Sequence, residues 1–267
     1  MGLGEPRHRR GRRSRAVQGE REELLIGGRT LTSTQHAPGA SSGAQATRRT
    51  WRRSFAAQQA EFYVFRLPRT VPVLHGVFRR LFVADLRRLN DVLAQTALSG
   101  HYWLWGGILL GWAREGRVLP HDDMDADFAV LEDDWPLLEQ AVPALELAGY
   151  RGVRRFVDHD GQVTERSFMR HGARFDFFKL SAVGDTARYT VYGRHDGAYV
   201  EVEEEVPLQP TEEISFLGRT WRKVRDHERE LAVLYGDWRT PDRQWSYTAA
   251  ASNEVGRRGW DPTSSHW

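Results

Sequence analysis

Six residues of this chain, Asp122-Asp123-Met124-Asp125-Ala126-Asp127, hold four carboxylates, and an apolar run, Phe128-Ala129-Val130, follows them. Along an extended backbone successive side chains alternate faces, so Asp123, Asp125 and Asp127 would crowd one edge. Like charges that close repel unless they protonate or a cation sits between them. The chemistry this suits is capture of a hard divalent metal by oxygen ligands, Mg2+ or Mn2+, of the kind that bridges to phosphates. An EF-hand loop is a competing reading, since these aspartates fit its positions 1, 3 and 5. Phe128 stands where that loop needs glycine, however, and Asp134 where it needs glutamate. A merely solvated acidic turn sits poorly with Met124, Phe128 and Val130 around it.

The cluster needs elements to hold it. Tyr102 to Trp105 reads as a short strand, Gly106-Gly107 as its end, and Ile108 to Arg114 as a helix. A strand, a glycine turn and a helix start leave backbone N–H groups able to face a phosphate. The chain then returns as a second strand over about 125–131. A helix over 135–148 follows, opened by Asp133-Asp134 and stopped by Gly149. Further on, Phe168–His171 and Arg174–Leu180 read as two strands joined at Gly172. The second places Asp176 among Phe175, Phe177 and Phe178, where a carboxylate is costly unless paired, to Arg174 or Lys179, or bound to metal. Before the site, apolar residues from Val73 to Ser99 recur at helical spacing with arginines between them, as in an amphipathic helix. After it, Thr190–Val206 reads as strands, with Glu201, Glu203, Glu204 and Glu205 as a solvated acidic edge. Phe216–Val224 reads as a hairpin, Glu228–Tyr235 as a helix ended by Gly236, and Ser246–Trp267 as irregular.

Bulk composition narrows the function. The chain has 267 residues and no cysteine, which excludes disulfides, thiolate catalysis and Cys-ligated zinc and fits a reducing compartment. No run of eighteen apolar residues exists, so no helical span is expected. Residues 1–53 hold twelve Arg and four Glu, a balance of +8, so the other 214 residues carry −6 to reach the chain's +2. Residues 1–50 are therefore expected to form a disordered Arg-rich tail, and residues 51–267 one folded domain. Residues 51–72, aromatic and basic, read as a short helix or strand on that domain's rim. No apolar stretch follows the basic start as a signal peptide requires. The expected location is cytoplasmic, with peripheral membrane contact through the tail as one use for it. The folded part has no basic stripe, so no specific nucleic-acid partner is expected.

Three blocks in order carry a family resemblance. The first is Gly107-Ile108-Leu109-Leu110-Gly111 with Arg114 three residues on and Pro120-His121-Asp122 beyond. The second is Arg174-Phe175-Asp176-Phe177-Phe178. The third is Leu234-Tyr235-Gly236-Asp237-Trp238 with Pro241 and Trp245. Together they resemble the LicD/fukutin family, with Ile108 in place of its usual threonine and an acidic group one residue longer than its common pattern. The resemblance implies an α/β (α+β) fold, a nucleotidyltransferase-like mixed sheet flanked by helices. It also implies metal-dependent transfer of a phospho-alcohol group, phosphocholine or a polyol phosphate, from a CDP-activated donor to a glycan or lipid-linked glycan acceptor. On that reading Asp125, Asp127 and Asp176 hold Mg2+ or Mn2+ with Asp123 assisting; the alternative register uses Asp123 and Asp125. Asp176 is also the candidate to take the acceptor hydroxyl's proton. Gly106, Gly107 and Arg114 face the donor phosphates, and His121 orients a carboxylate. Transfer of a nucleoside monophosphate onto a small molecule, and a silent nucleotide-binding homologue, are the alternatives.

Overall fold

The computed structural model describes residues 72–120, 124–242 and 253–261. The expected Arg-rich tail, the rim segment before Pro72, His121, Asp122, Asp123 and Trp245 lie outside them. The first helix, α1, spans Pro72–Leu93. Phe82, Leu86, Leu89 and Leu93 recur every three or four residues and are buried to 1% exposure or less, the stripe a core-facing helix requires. The arginines between them tie the helix down: Arg79 donates to the Val118 carbonyl at 2.7 Å and Arg88 to that of Ala148 at 3.2 Å. The helix is shorter than its apolar pattern suggests, because the Thr96 hydroxyl takes the Leu93 carbonyl at 2.8 Å and turns the chain.

Strand β1 (Tyr102–Trp105) runs into α2 (Gly106–Glu115), and the chain returns as β2 (Asp125–Leu131). A single 3-10 turn, Glu132–Asp134, leads into α3 (Trp135–Leu147). Strands β3 (Arg151–Val157), β4 (Val163–Arg170), β5 (Ala173–Val183), β6 (Thr186–His195) and β7 (Ala198–Pro207) follow. A hairpin of β8 (Thr211–Phe216) and β9 (Arg219–Val224), the helix α4 (His227–Tyr235) and β10 (Glu254–Gly259) complete the described elements. The result is the expected mixed sheet flanked by helices.

Strand β5 is the axis of that eight-stranded sheet. It pairs in parallel with β2 on one side and antiparallel with β4 on the other, and its far end passes to β6. One face of β1, β2, β4 and β5 supplies an aromatic core. Phe128 and Phe177 stack with centroids 5.1 Å apart, Phe128 stacks on Trp221 at 6.0 Å, and Phe175 meets Tyr150 edge-on at 5.3 Å. Buried residues of α1 and α3 belong to the same cluster. The opposite face is covered more thinly, by Trp103, Trp105, Ala129, Leu180 and Tyr189. Asp125 and Asp127 project on that second face, in alternation with Ala126 and Phe128.

Two expectations about the C-terminal half need correction. Residues 254–259 are not irregular: they form β10 against β7. The glutamates of β7 are not a solvated edge either. Glu201 and Glu204 are 3% and 6% exposed. His159 pairs with Glu201 at 2.9 Å, while Tyr189 and Asn253 donate to Glu204. A strand added beyond β7 removes water from side chains that composition alone assigns to the surface, and buried carboxylates then need these partners.

Candidate metal centre

The site begins with the register of β2 on β5. Parallel pairing sets Asp127 opposite Asp176 and Asp125 opposite Arg174, while antiparallel pairing sets Trp105 opposite Asp127. Carboxylate oxygens of Asp125, Asp127 and Asp176 consequently lie within 4.8 Å of one another. Among the described residues this is the one such cluster of three potential metal ligands. It is the triad the sequence predicts. Asp123 and the register that would use it fall outside the described residues, as does His121.

The glycine turn fits against this triad. Gly106 opens α2 with φ +51°, and a Cβ there would stand 2.6 Å from Asp127 Oδ2. Only a residue without a side chain lets the start of α2 approach the carboxylate this closely. Gly111 serves the fold: a Cβ would meet the Arg117 carbonyl oxygen at 2.7 Å, so its absence lets the chain fold back over α2 toward the acidic segment. Arg114 lies eight residues along α2, about 12 Å by helix rise from Gly106. There Nη1 donates to the Trp238 carbonyl at 3.4 Å.

Arg174 reaches the triad, with Nη2 2.5 Å from Asp125 Oδ2 and Nε 3.9 Å from Asp176 Oδ2, and the Arg154 charge also acts on Asp176. Asp125 and Asp176 hold the pKa of Arg174 above the usual arginine value. Lys179, the other candidate partner for Asp176, pairs instead with Glu132. Two further groups face Asp176 from β4, because Ser167 stands opposite it in the register. The Ser167 hydroxyl donates to Glu165 Oε1 at 3.1 Å and also lies within hydrogen-bonding reach of Asp176. A hydroxyl has one proton to donate, so it serves one carboxylate at a time. Burial pushes the carboxyl groups of both Asp176 and Glu165 up from their ordinary range, with Arg174 acting in the opposite sense on each. Neither Glu165 nor Ser167 is among the candidate residues of the sequence; the run of consecutive polar residues Thr164–Ser167 is their only local trace, and β4 begins at Val163, earlier than the expected Phe168.

These residues fit a divalent cation. Oδ1 of Asp125 and Oδ1 of Asp176 are buried without a hydrogen-bond partner among the described residues, and Asp176 is only 4% exposed. Desolvated carboxylate oxygens are expensive unless something positive meets them. Oxygen ligands in a small cluster are the set that Mg2+ or Mn2+ prefers.

A helix start thus lies against three clustered carboxylates on a mixed sheet. Residues 100–222 match the family described as LicD/FKTN/FKRP, nucleotidyltransferase domain. That match supports membership of the LicD family, and the family suggests a transferase. The matched span contains Gly106, Arg114, the triad, Glu165, Ser167 and Arg174; the Leu234–Trp238 stretch lies beyond it. No curated protein matches the chain. Among the described residues no helix is long and apolar enough to cross a membrane.

Proposed function

We propose that the protein transfers a phospho-alcohol group from a CDP-activated donor to a glycan or lipid-linked glycan acceptor, using a divalent cation, Mg2+ or Mn2+. The observation that carries this reading is the pair of unpartnered buried oxygens within the triad, on Asp125 and Asp176. Asp125, Asp127 and Asp176 would hold the cation, which when bound draws charge off the donor phosphates. Gly106 and Gly107 offer the N-terminal turn of α2 to those phosphates, where unpaired N–H groups and the helix dipole favour an anion. The acceptor hydroxyl oxygen forms a bond to the phosphorus bearing the alcohol, the bond from that phosphorus to CMP breaks, and CMP leaves. Asp176 takes the hydroxyl proton. The donor class and the glycan acceptor rest on the family alone.

The test is to follow which half of a labelled donor moves. With CDP-choline carrying label in the choline, the label should pass to a glycan acceptor in the presence of Mg2+. With CTP labelled in the nucleoside, none should. Transfer of the nucleoside label would instead establish a nucleotidyltransferase. Asp127→Asn should lower the rate roughly a hundredfold or more with little loss of fold, the scale of removing one fixed charge from a transition state; full activity in that variant would sink the assignment.

A further inference from the structure

Arg174 lies at the start of β5 and faces the triad. Its side chain is 28% exposed and that of Asp125 32%, against 5% for Asp176. The guanidinium thus sits at the open side of a cluster whose floor is buried. Its shortest contact is to Asp125, one of the proposed cation ligands, and its Nε lies toward a second, Asp176. A divalent ion held by the same carboxylates would stand within a few ångströms of this fixed positive charge. At that range like charges repel even when partly shielded from water, and both would draw on one carboxylate, Arg174 on Oδ2 of Asp125 and the ion on its unpartnered Oδ1. Asp176 is held in the buried floor, while Arg174 has a long stem and 28% of its side chain in solvent.

We propose that Arg174 is a resident counter-ion of the triad that changes partner: it competes with the divalent cation for Asp125 and, once displaced, binds a phosphate of the donor. This rests on the proposed cation role of the triad and adds a residue and an order of events to it. It makes Arg174, rather than Arg114, the arginine that meets the phosphates. A planar guanidinium suits both partners, since carboxylate and phosphate each accept two parallel N–H groups.

The experiment is Mn2+ calorimetry on the full chain without nucleotide, followed by CDP titration at saturating Mn2+. Arg174→Met should bind Mn2+ about tenfold more tightly than the parent and CDP about tenfold more weakly, each the fold-change of one charge-assisted hydrogen bond. Unchanged or weaker Mn2+ binding by Arg174→Met, or unchanged CDP binding, overturns the exchange of partners. If the parent binds Mn2+ no better than Asp127→Asn does, the triad reading itself fails, and the exchange with it. A second measurement reads the parent itself: the Nε–H resonance of Arg174, assigned by its loss in Arg174→Lys, should move to a new saturating position as Mg2+ is added. A resonance that stays in place overturns the proposal.

Discussion

Gly106→Ala separates the site from the fold. The added Cβ would begin 2.6 Å from Asp127 Oδ2, whereas ordinary contacts of a Cβ start near 3.4 Å. The carboxylate must therefore give by roughly 0.8 Å, and it can, because the clash is with the far end of a side chain. Moving that oxygen moves a proposed ligand. A misplacement of about 1 Å at a reacting centre costs on the order of a hundredfold in rate. The backbone contributes separately: alanine at φ +51° carries about 1–2 kcal/mol of left-handed strain, a fall in Tm of a few degrees for a chain of this size. Gly111→Ala is the control. Its Cβ would strike a backbone carbonyl at 2.7 Å, which cannot step aside, so the loss of stability should be the larger of the two while the triad is untouched. Urea unfolding and Mn2+ calorimetry on both variants give the comparison. Gly106→Ala should lose most of its Mn2+ affinity and little stability; Gly111→Ala should do the reverse. Parent-like Mn2+ binding by Gly106→Ala would refute the claim that this glycine exists to admit Asp127.

Glu230 of α4 is 1% exposed, and burial pushes its carboxyl up to about 8 from 4.5. The unfolded chain then ionises first as pH rises, so the stability present below pH 4.5 declines between 4.5 and 8, by at most about 1.4 kcal/mol per pH unit. Urea midpoints at pH 5 and 8 should draw together in Glu230→Gln; an unaltered difference would remove Glu230 as the cause. Asp85 of α1 accepts from Arg170 at 2.9 Å and pairs with His171 at the same distance, clamping α1 to the turn between β4 and β5. Asp85→Ala leaves the Arg170 charge short of its carboxylate partner and should cost about 3 kcal/mol in chemical denaturation; a loss under 1 kcal/mol would show that the clamp is not a stabilising one.

Much of this site is legible locally. The two-residue period of a strand puts Asp125 and Asp127 on one face whatever surrounds them, and the glycine pair after Trp105 announces a turn followed by a helix. The order of α1, β1, α2, β2 and α3 follows from apolar spacing, and the family blocks carry the triad. Glu201 and Glu204 show the limit of such reading, since a strand late in the chain decides whether they meet water.

What only the tertiary structure decides is which residues face each other across the sheet. Asp127 meets Asp176 because β2 and β5, 49 residues apart, pair in one register of several, and the packing of Phe128 on Phe177 selects it. A slip of one residue would turn Asp176 into the aromatic core, at a desolvation cost no local signal records. The same register sets Arg174 on Asp125, and the antiparallel pairing of β4 on β5 brings Ser167 beside Asp176. The sequence by itself determines the carboxylates and their spacing along each strand. Their convergence into a triad comes from long-range strand pairing fixed by the core.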